Sequence, residues 1–413
     1  MVRRGLAIGR GAAAVWLAAL CVAAGTAVAE AAGTRAARLH TPPADDGLSK
    51  SLRREARAAV ERGLQWLAEN QNAGGWWSNK DFPALTALPL WAFARSDGKT
   101  DREHLVVIEK AVAHIRSCAQ PDGAIFREAT GRKGGGLANY NTAICMAALH
   151  ALGDPALVPL VQKARSFLAR NQHLESDANY GGMGYDPDTG RAYADLSNSY
   201  IAYEAMRLTQ SVEALRKASG ARVDLNWAAA AKFVESLQHR REGNAQPWVS
   251  DDPAHAGGFI YKPGHSQAGE ATDKHDNPTL RAYGSMTYAG LLSFIYADVA
   301  PDDPRVQAAF DWALRHWTLE ENPGIGQQGL YYYYHTLSKA LAVYGQSRLT
   351  LPGGRSVNWR SELILKLLDL QRIDAKSGAG FWVNESGRWW EADPVLVTAY
   401  SILSVQHALA PNQ

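Results

Sequence analysis

Cysteine is scarce in this chain: three residues in 413, and none stands at a cysteine–histidine spacing that reads as a zinc site. A charge imbalance is missing too, with 43 Lys plus Arg against 41 Asp plus Glu. No basic run follows the N-terminus that would track a phosphate backbone, which argues against nucleic acid as a partner. What the chain does have is 46% hydrophobic and 9% aromatic residues, the composition of a globular protein able to bury a large core.

Arg3 and Arg4 precede an apolar segment from Ala12 to Val28, and Ala27-Val28-Ala29 stand before Glu30. This is the order of a secretory signal peptide over residues 1–29, cleaved after Ala29, and it predicts an exported protein, periplasmic or secreted. An uncleaved anchor is the alternative, because the apolar run approaches spanning length. Leu20 before Cys21, rather than a small residue, speaks against a lipoprotein. Residues 30–51 are rich in Ala, Thr, Pro and Asp without periodicity and read as a linker. Cys118 and Cys145 remain after cleavage; they are either a disulfide across two helix ends or two buried thiols.

Beyond residue 52 one unit recurs six times: an amphipathic helix, a turn containing Gly and often Gln with an aromatic, and a second helix rich in Ala, Leu and Thr. The first copy turns at Gln71-Asn72-Ala73-Gly74-Gly75-Trp76-Trp77 and the second at Gln120-Pro121-Asp122-Gly123-Ala124-Ile125-Phe126. The third turns at Asn179-Tyr180-Gly181-Gly182-Met183, the fourth at Gly257-Gly258-Phe259 and the last at Gly378-Ala379-Gly380-Phe381-Trp382. A single hairpin cannot bury its apolar face, so neighbours must stack. The first helix of each pair carries more charge and is expected outside; the second, richer in Ala, Thr, Ser and Tyr, is expected inside. No polar capping repeat closes either end, which favours a ring over an open solenoid. The fold class expected over residues 52–413 is therefore all-α: six helical hairpins in two concentric rings around a cavity.

These Gln…Gly…Trp/Phe turns resemble the repeats of the squalene cyclase and protein prenyltransferase β-subunit superfamily, over about Leu52 to Leu409. The resemblance implies an (α/α)6 toroid whose apolar cavity takes isoprenoid chains. It does not extend to that superfamily's chemistry. Tyr334-His335-Thr336 is similar to the segment that supplies a zinc-binding His in the prenyltransferases, but where their Asp and Cys are expected the chain reads Leu280-Arg281-Ala282-Tyr283-Gly284-Ser285. Two of three ligands are missing, so no metal and no cofactor is expected. The Asp-x-Asp-Asp acid motif of class II terpene cyclases and an Asp-Asp-x-x-Asp run for diphosphate are also absent.

Candidate site residues come from the inner helices. In the stretch from Gly329 to Gly345, Tyr331, His335, Ser338 and Ala342 fall on one helical face. Trp77, Tyr140, Tyr283, Tyr331, Tyr334 and Trp390 are expected to line the cavity and offer π faces to an apolar, isoprenoid-like ligand, with Asn198 and Asp393 as polar contacts. Asp195, opening an inner helix, is the acid candidate, with helix capping as its structural reading; His335 is the base, kept neutral by a helix N-terminus. The loop Gly243–Leu280 is expected to be a structureless lid. Two other readings stand beside this one: a carbohydrate-active enzyme in which Asp195 faces Asp393 or Glu391 across the lumen, and a non-catalytic scaffold.

Overall fold

The computed structural model describes residues 46–97, 101–128, 136–186, 193–216, 220–274 and 276–410. The expected signal peptide, residues 1–29, and residues 30–45 of the expected linker lie outside them. Twelve α-helices in the described residues form six consecutive hairpins. The outer members are α1 (Lys50–Glu69), α3 (Arg102–Ser117), α5 (Val158–Arg170), α7 (Trp227–Glu235), α9 (Pro304–Arg315) and α11 (Trp359–Leu370). The inner members are α2 (Ala84–Ala94), α4 (Ala138–Ala151), α6 (Leu196–Leu208), α8 (Gly284–Tyr296), α10 (Leu330–Tyr344) and α12 (Pro394–Leu409). Each inner helix packs on the inner helix of the next hairpin, and α12 returns to α2, so the ring is closed. Packing already involves residues ahead of the expected boundary at residue 52: Leu48 is buried, and the Asp46 carboxylate pairs with Arg53 on α1.

Burial separates the two rings. On α1 only one stripe is covered, Ala56, Ala59, Val60, Gly63, Leu64 and Leu67, at the three- and four-residue spacing of a surface helix. Every residue of α2 is buried, because outer helices cover one side and the lumen filling covers the other. Among the described residues no helix is long and apolar enough to cross a membrane.

The repeated residues are stitches between hairpins. The Gln71 amide donates to the Gly75 carbonyl in its own turn (3.2 Å) and to Val107 on the next outer helix (2.9 Å). Gln172 and Gln238 repeat the pattern on Gly181 and Asn226, and on Gly257 and Arg305. Gln371 donates to Ala59 of α1 (2.9 Å), which ties the last hairpin to the first. On the inner side, backbone N–H groups of Trp77, Ile125, Met183, Phe259 and Trp382 donate to hydroxyls of Thr86, Thr142, Ser199, Thr287 and Thr398. The buried turns thus satisfy their polar groups through a bridging Gln in four hairpins and an inner-helix hydroxyl in five.

The turn glycine is required by contact as well as by conformation. Gly181 has φ +95°, and a Cβ there would stand 1.9 Å from the Ala229 carbonyl oxygen of the neighbouring outer helix. Gly181→Ala is expected to lower stability by about 1–3 kcal/mol from backbone strain alone, with the carbonyl clash added. Thermal unfolding of the variant checks this, and a midpoint equal to the parent's would refute it.

The Gly243–Leu280 segment is more ordered than expected. It carries a two-stranded antiparallel ribbon, β1 (Glu270–Thr272) against β2 (Pro278–Leu280), with Glu270 opposite Leu280 and Thr272 opposite Pro278. Cys118 and Cys145 are both buried free thiols, so the disulfide alternative is not realised.

Candidate functional site

Because outer and inner helices alternate, all six inner helices begin at the same end of the ring. Six positive helix termini converge there, and each has an oxygen from a side chain on its first free N–H groups. Asn141 accepts from Ala84 (2.9 Å), Asp186 from Ala138 (2.5 Å) and Asp195 from Asn198 (2.9 Å). Asn322 accepts from Ser285 (3.0 Å), Glu391 from Tyr331 and Tyr332 (3.2 and 2.7 Å), and Asp393 from Val395 (2.9 Å). The capping role of Asp195 and Asp393 is therefore real, and it is one instance of a rule that runs around the whole ring.

Inside this end lies a cavity of about 1020 Å³, walled by the first turns of the inner helices and by the connecting segments above them. Seven tyrosines reach it: Tyr140, Tyr185, Tyr193, Tyr261, Tyr283, Tyr332 and Tyr400. Phe82, Trp389 and Trp390 also line it, the last edge-on to Phe82 with ring centroids 5.3 Å apart. The two tryptophans are half-exposed and both have positive φ (+56° and +70°), an uncommon backbone for aromatic residues. Tyr261 and Gln267 bring the ordered Gly243–Leu280 segment onto the wall. Burial raises the phenols of Tyr261 and Tyr185 far above the ordinary range, with Asp195 adding to it, so the wall is one of neutral hydroxyls.

Of the residues expected on this wall, Tyr140, Tyr283 and Trp390 are there and three are not. Trp77 is fully buried inside its own hairpin, with its indole N–H on the Leu67 carbonyl (2.7 Å) and its ring stacked on Phe93. Tyr334 turns outward to the Leu319 carbonyl (2.5 Å), and Tyr331 packs edge-on against it. The face that α10 turns to the lumen is Tyr332, His335 and Lys339, one residue round from the expected stripe. Asn198 does not reach the wall either; its amide is held by the Asp195 carboxylate (2.7 Å).

Two buried carboxyl groups stand at this end. Asp195 is completely buried just behind the wall, and desolvation pushes its carboxyl up to about 6 against the pull of hydrogen bonds from Asn198 and Tyr261. Glu391 is 1% exposed and lies on the wall itself. Its oxygens accept from the Tyr331 and Tyr332 amides and from Asn384 Nδ2 (2.6 Å), yet burial still raises it to about 7. Sequence reasoning named Glu391 only as a partner for Asp195; in an irregular turn after Trp389-Trp390, no periodicity marks it.

His335 is separated from the cavity. It lies in a chamber of about 20 Å³ below, which shares Leu88, Tyr332 and Tyr400 with the cavity as a common partition. Its ring stacks on Tyr400 at 5.2 Å, and its Nδ1 is buried without a hydrogen-bond partner. Burial, with the neighbouring Lys339 and Arg95 cations, pushes its pKa well below the ordinary histidine value; no helix terminus is among the causes. Beside it Lys339 Nζ pairs with Glu204 Oε2 (2.7 Å) and donates to the Tyr200 hydroxyl (2.8 Å).

As to metals, His173, Glu175 and Asp177 bring ligand atoms within 4.8 Å of one another, at a surface turn whose residues do not line the cavity. His173 and Asp177 already pair at 3.0 Å, and exposed groups of this kind are common without an ion.

A closed double ring of six hairpins, with its cavity at the N-terminal end of the inner helices, is a terpene-cyclase-like toroid. The ligand-free type II terpene cyclase MstE from Scytonema matches it with a TM-score of 0.52 at 13% identity, covering 86% of this chain and 98% of that one. A ligand-free variant of MstE matches with a TM-score of 0.50 at 13% identity, over 88% and 98%. No protein-family model and no curated protein matches the chain. At this identity the likeness is one of fold.

Proposed function

We propose that this protein takes an isoprenoid chain into the cavity and that Glu391 is the group that protonates it to start ring closure. The observation that carries this reading is a buried carboxyl group, raised to about 7, on the wall of an aromatic cavity. The volume lies at the upper end of ordinary small-molecule sites, about 300–1,000 Å³, and suits a long apolar ligand. Tyrosine faces stabilise developing positive charge along a chain. In the step itself the Glu391 O–H bond breaks as a C–H bond forms at the less substituted carbon of an alkene. A neighbouring alkene then closes on the resulting tertiary cation, and a proton lost from an adjacent carbon returns, directly or through water, to the Glu391 carboxylate, which restores both neutrality and the acid. Substrate and product are isomers, so no oxidant or second substrate is needed. The fold shared with a type II terpene cyclase supports the reading, and the missing Asp-x-Asp-Asp motif means that the acid comes from a different element. Asp195, one layer behind the wall, positions the end of α6 instead. The signal-peptide order of residues 1–29 supports an exported mature protein beginning at Glu30.

One preparation tests both parts. Mass spectrometry of protein purified natively from the exported fraction is expected to show a chain beginning at Glu30 and, in a solvent extract, a stoichiometric polyprenyl or cyclised terpenoid species. An extract no richer in lipid than that of a control protein, together with no uptake of added polyprenyl compounds, would overturn the ligand reading.

A further inference from the structure

The cavity mouth carries two cations, Lys262 and Arg388, that stand outside the ion pairs of the described residues. The wall carboxylates Asp186 and Glu391 are tied to helix N–H groups, and Asp195, which attracts Lys262 through space, caps α6 behind the wall. Lys262 Nζ sits 4.0 Å from the centroid of the Tyr193 ring, and Tyr193 is on the cavity wall. Arg388 is held from three sides. Its guanidinium donates to Gln328 Oε1 (2.5 Å) and to Gln267 Oε1 (2.8 Å) and lies 4.3 Å over the Trp389 ring, with Gln267 and Trp389 also on the wall.

This fixed arrangement is costly unless it has a purpose, since exposed Arg and Lys side chains ordinarily keep their rotamer freedom. Neutral amide acceptors orient the Arg388 fork without cancelling its charge, and a planar fork of this kind matches a carboxylate or phosphate in two-point contact. Below the mouth the wall is mostly neutral phenols, aromatic rings and aliphatic groups, and its carboxyl groups, Asp186 and Glu391, would repel an anionic head, not hold it.

We infer that the ligand is an amphiphile: its isoprenoid chain fills the tyrosine-lined cavity while an anionic head, carboxylate or phosphate, is held at the mouth by Arg388 and Lys262. The inference rests on the reading given under Proposed function and adds the head group to it. The head anchors the chain in one direction, so a fixed alkene is presented to Glu391.

Tryptophan-fluorescence titration of the intact protein with three ligands sharing one chain tests it: geranylgeranoic acid, geranylgeranyl monophosphate and geranylgeraniol. At about 0.02 M ionic strength, where salt screens the two cations only weakly, one or both anionic ligands are expected to bind about tenfold or more tighter than the alcohol. The preferred anion tells carboxylate from phosphate recognition. The preference should shrink on raising the salt to about 0.5 M and collapse to near unity in the double variant K262Q/R388Q. Equal affinities for all three in the parent protein, or a preference that survives in the double variant, would overturn the inference while leaving isoprenoid uptake standing. Binding of none of the three would overturn both.

Discussion

Glu391→Gln is expected to lower ring-forming turnover by about 10²–10⁴-fold, the usual contribution of a positioned general acid, while the protein still takes up the chain. The amide keeps the size of the carboxyl and one acceptor oxygen for the Tyr331 and Asn384 donors that share Oε2, loses the acceptor for the Tyr332 N–H, and has no acidic proton to give. Because the carboxyl is raised to about 7, the acid form dominates below that pH. Turnover of the parent protein is therefore expected to be level in mild acid and to fall as pH rises through about 7. The same shift has a stability consequence with a definite sign. Below the ordinary carboxyl value of 4.5 both folded and unfolded chains hold the proton, so the group makes no difference. Between 4.5 and about 7 the unfolded chain releases the proton and the folded chain keeps it, so stability falls as pH rises across that window, and above it the penalty is constant. Glu391→Gln should flatten this dependence in thermal melts, a readout independent of any substrate. Asp195→Asn, altering a carboxyl behind the wall, should cost far less turnover. Full activity of Glu391→Gln on the isoprenoid recovered from the native protein would remove Glu391 from the mechanism.

The ring was legible in the sequence because each repeated letter is fixed by a contact that recurs. Gln71, Gln172, Gln238 and Gln371 each bridge to the next outer helix, and Thr86, Thr142, Ser199, Thr287 and Thr398 each receive a turn amide. Those bonds reuse the same side chains from hairpin to hairpin, so they leave a periodic trace. The fifth hairpin, whose turn lacks the glycine–aromatic pair, has no such hydroxyl stitch among the described residues. The cavity wall leaves no comparable trace. Tyr331, Tyr332, Tyr333 and Tyr334 occupy four directions around one helix, and spacing alone cannot say which faces the lumen. Only Tyr332 does, because the Glu391 cap and the packing of α12 fix the rotation of α10. Trp77 has the aromatic character of a ligand contact but serves the interior of its hairpin, where its N–H finds a carbonyl. Lys339 was the overlooked signal: a cation seven residues after Tyr332, on an otherwise apolar and aromatic helix, must face a partner inside the ring.

That lysine gives the largest expected stability effect. Lys339 is 2% exposed, and its Nζ is held by Glu204 at 2.7 Å and by the Tyr200 hydroxyl at 2.8 Å. Burial lowers its pKa and Glu204 pulls it back up, so the pair sustains its own charge. Lys339→Met removes the cation bonded to Glu204 and leaves that carboxylate buried without an ion-pair contact, offset only by the Tyr296 hydroxyl at 3.5 Å and by the through-space attraction of Arg95. Breaking one half of a buried pair typically costs about 3–5 kcal/mol, which should appear as a large drop in the urea midpoint. Glu204→Leu combined with Lys339→Met removes both charges, and the double variant should be more stable than Lys339→Met alone. A single variant within about 1 kcal/mol of the parent, smaller than the penalty for an unpaired buried charge, would show that the Lys339–Glu204 pair is not the lock the geometry implies. The location explains why an ion pair stands where an apolar contact would close the gap as well. Glu204 belongs to α6 and Lys339 to α10, inner helices separated by α8, so the bond spans the lumen instead of joining neighbours. It sets the width of the ring directly beneath Tyr332 and Tyr400, the partition that forms the cavity floor. Lys339→Met should therefore weaken isoprenoid uptake as well as stability, whereas Gly181→Ala, at a turn whose glycine lines neither chamber, should lower stability alone.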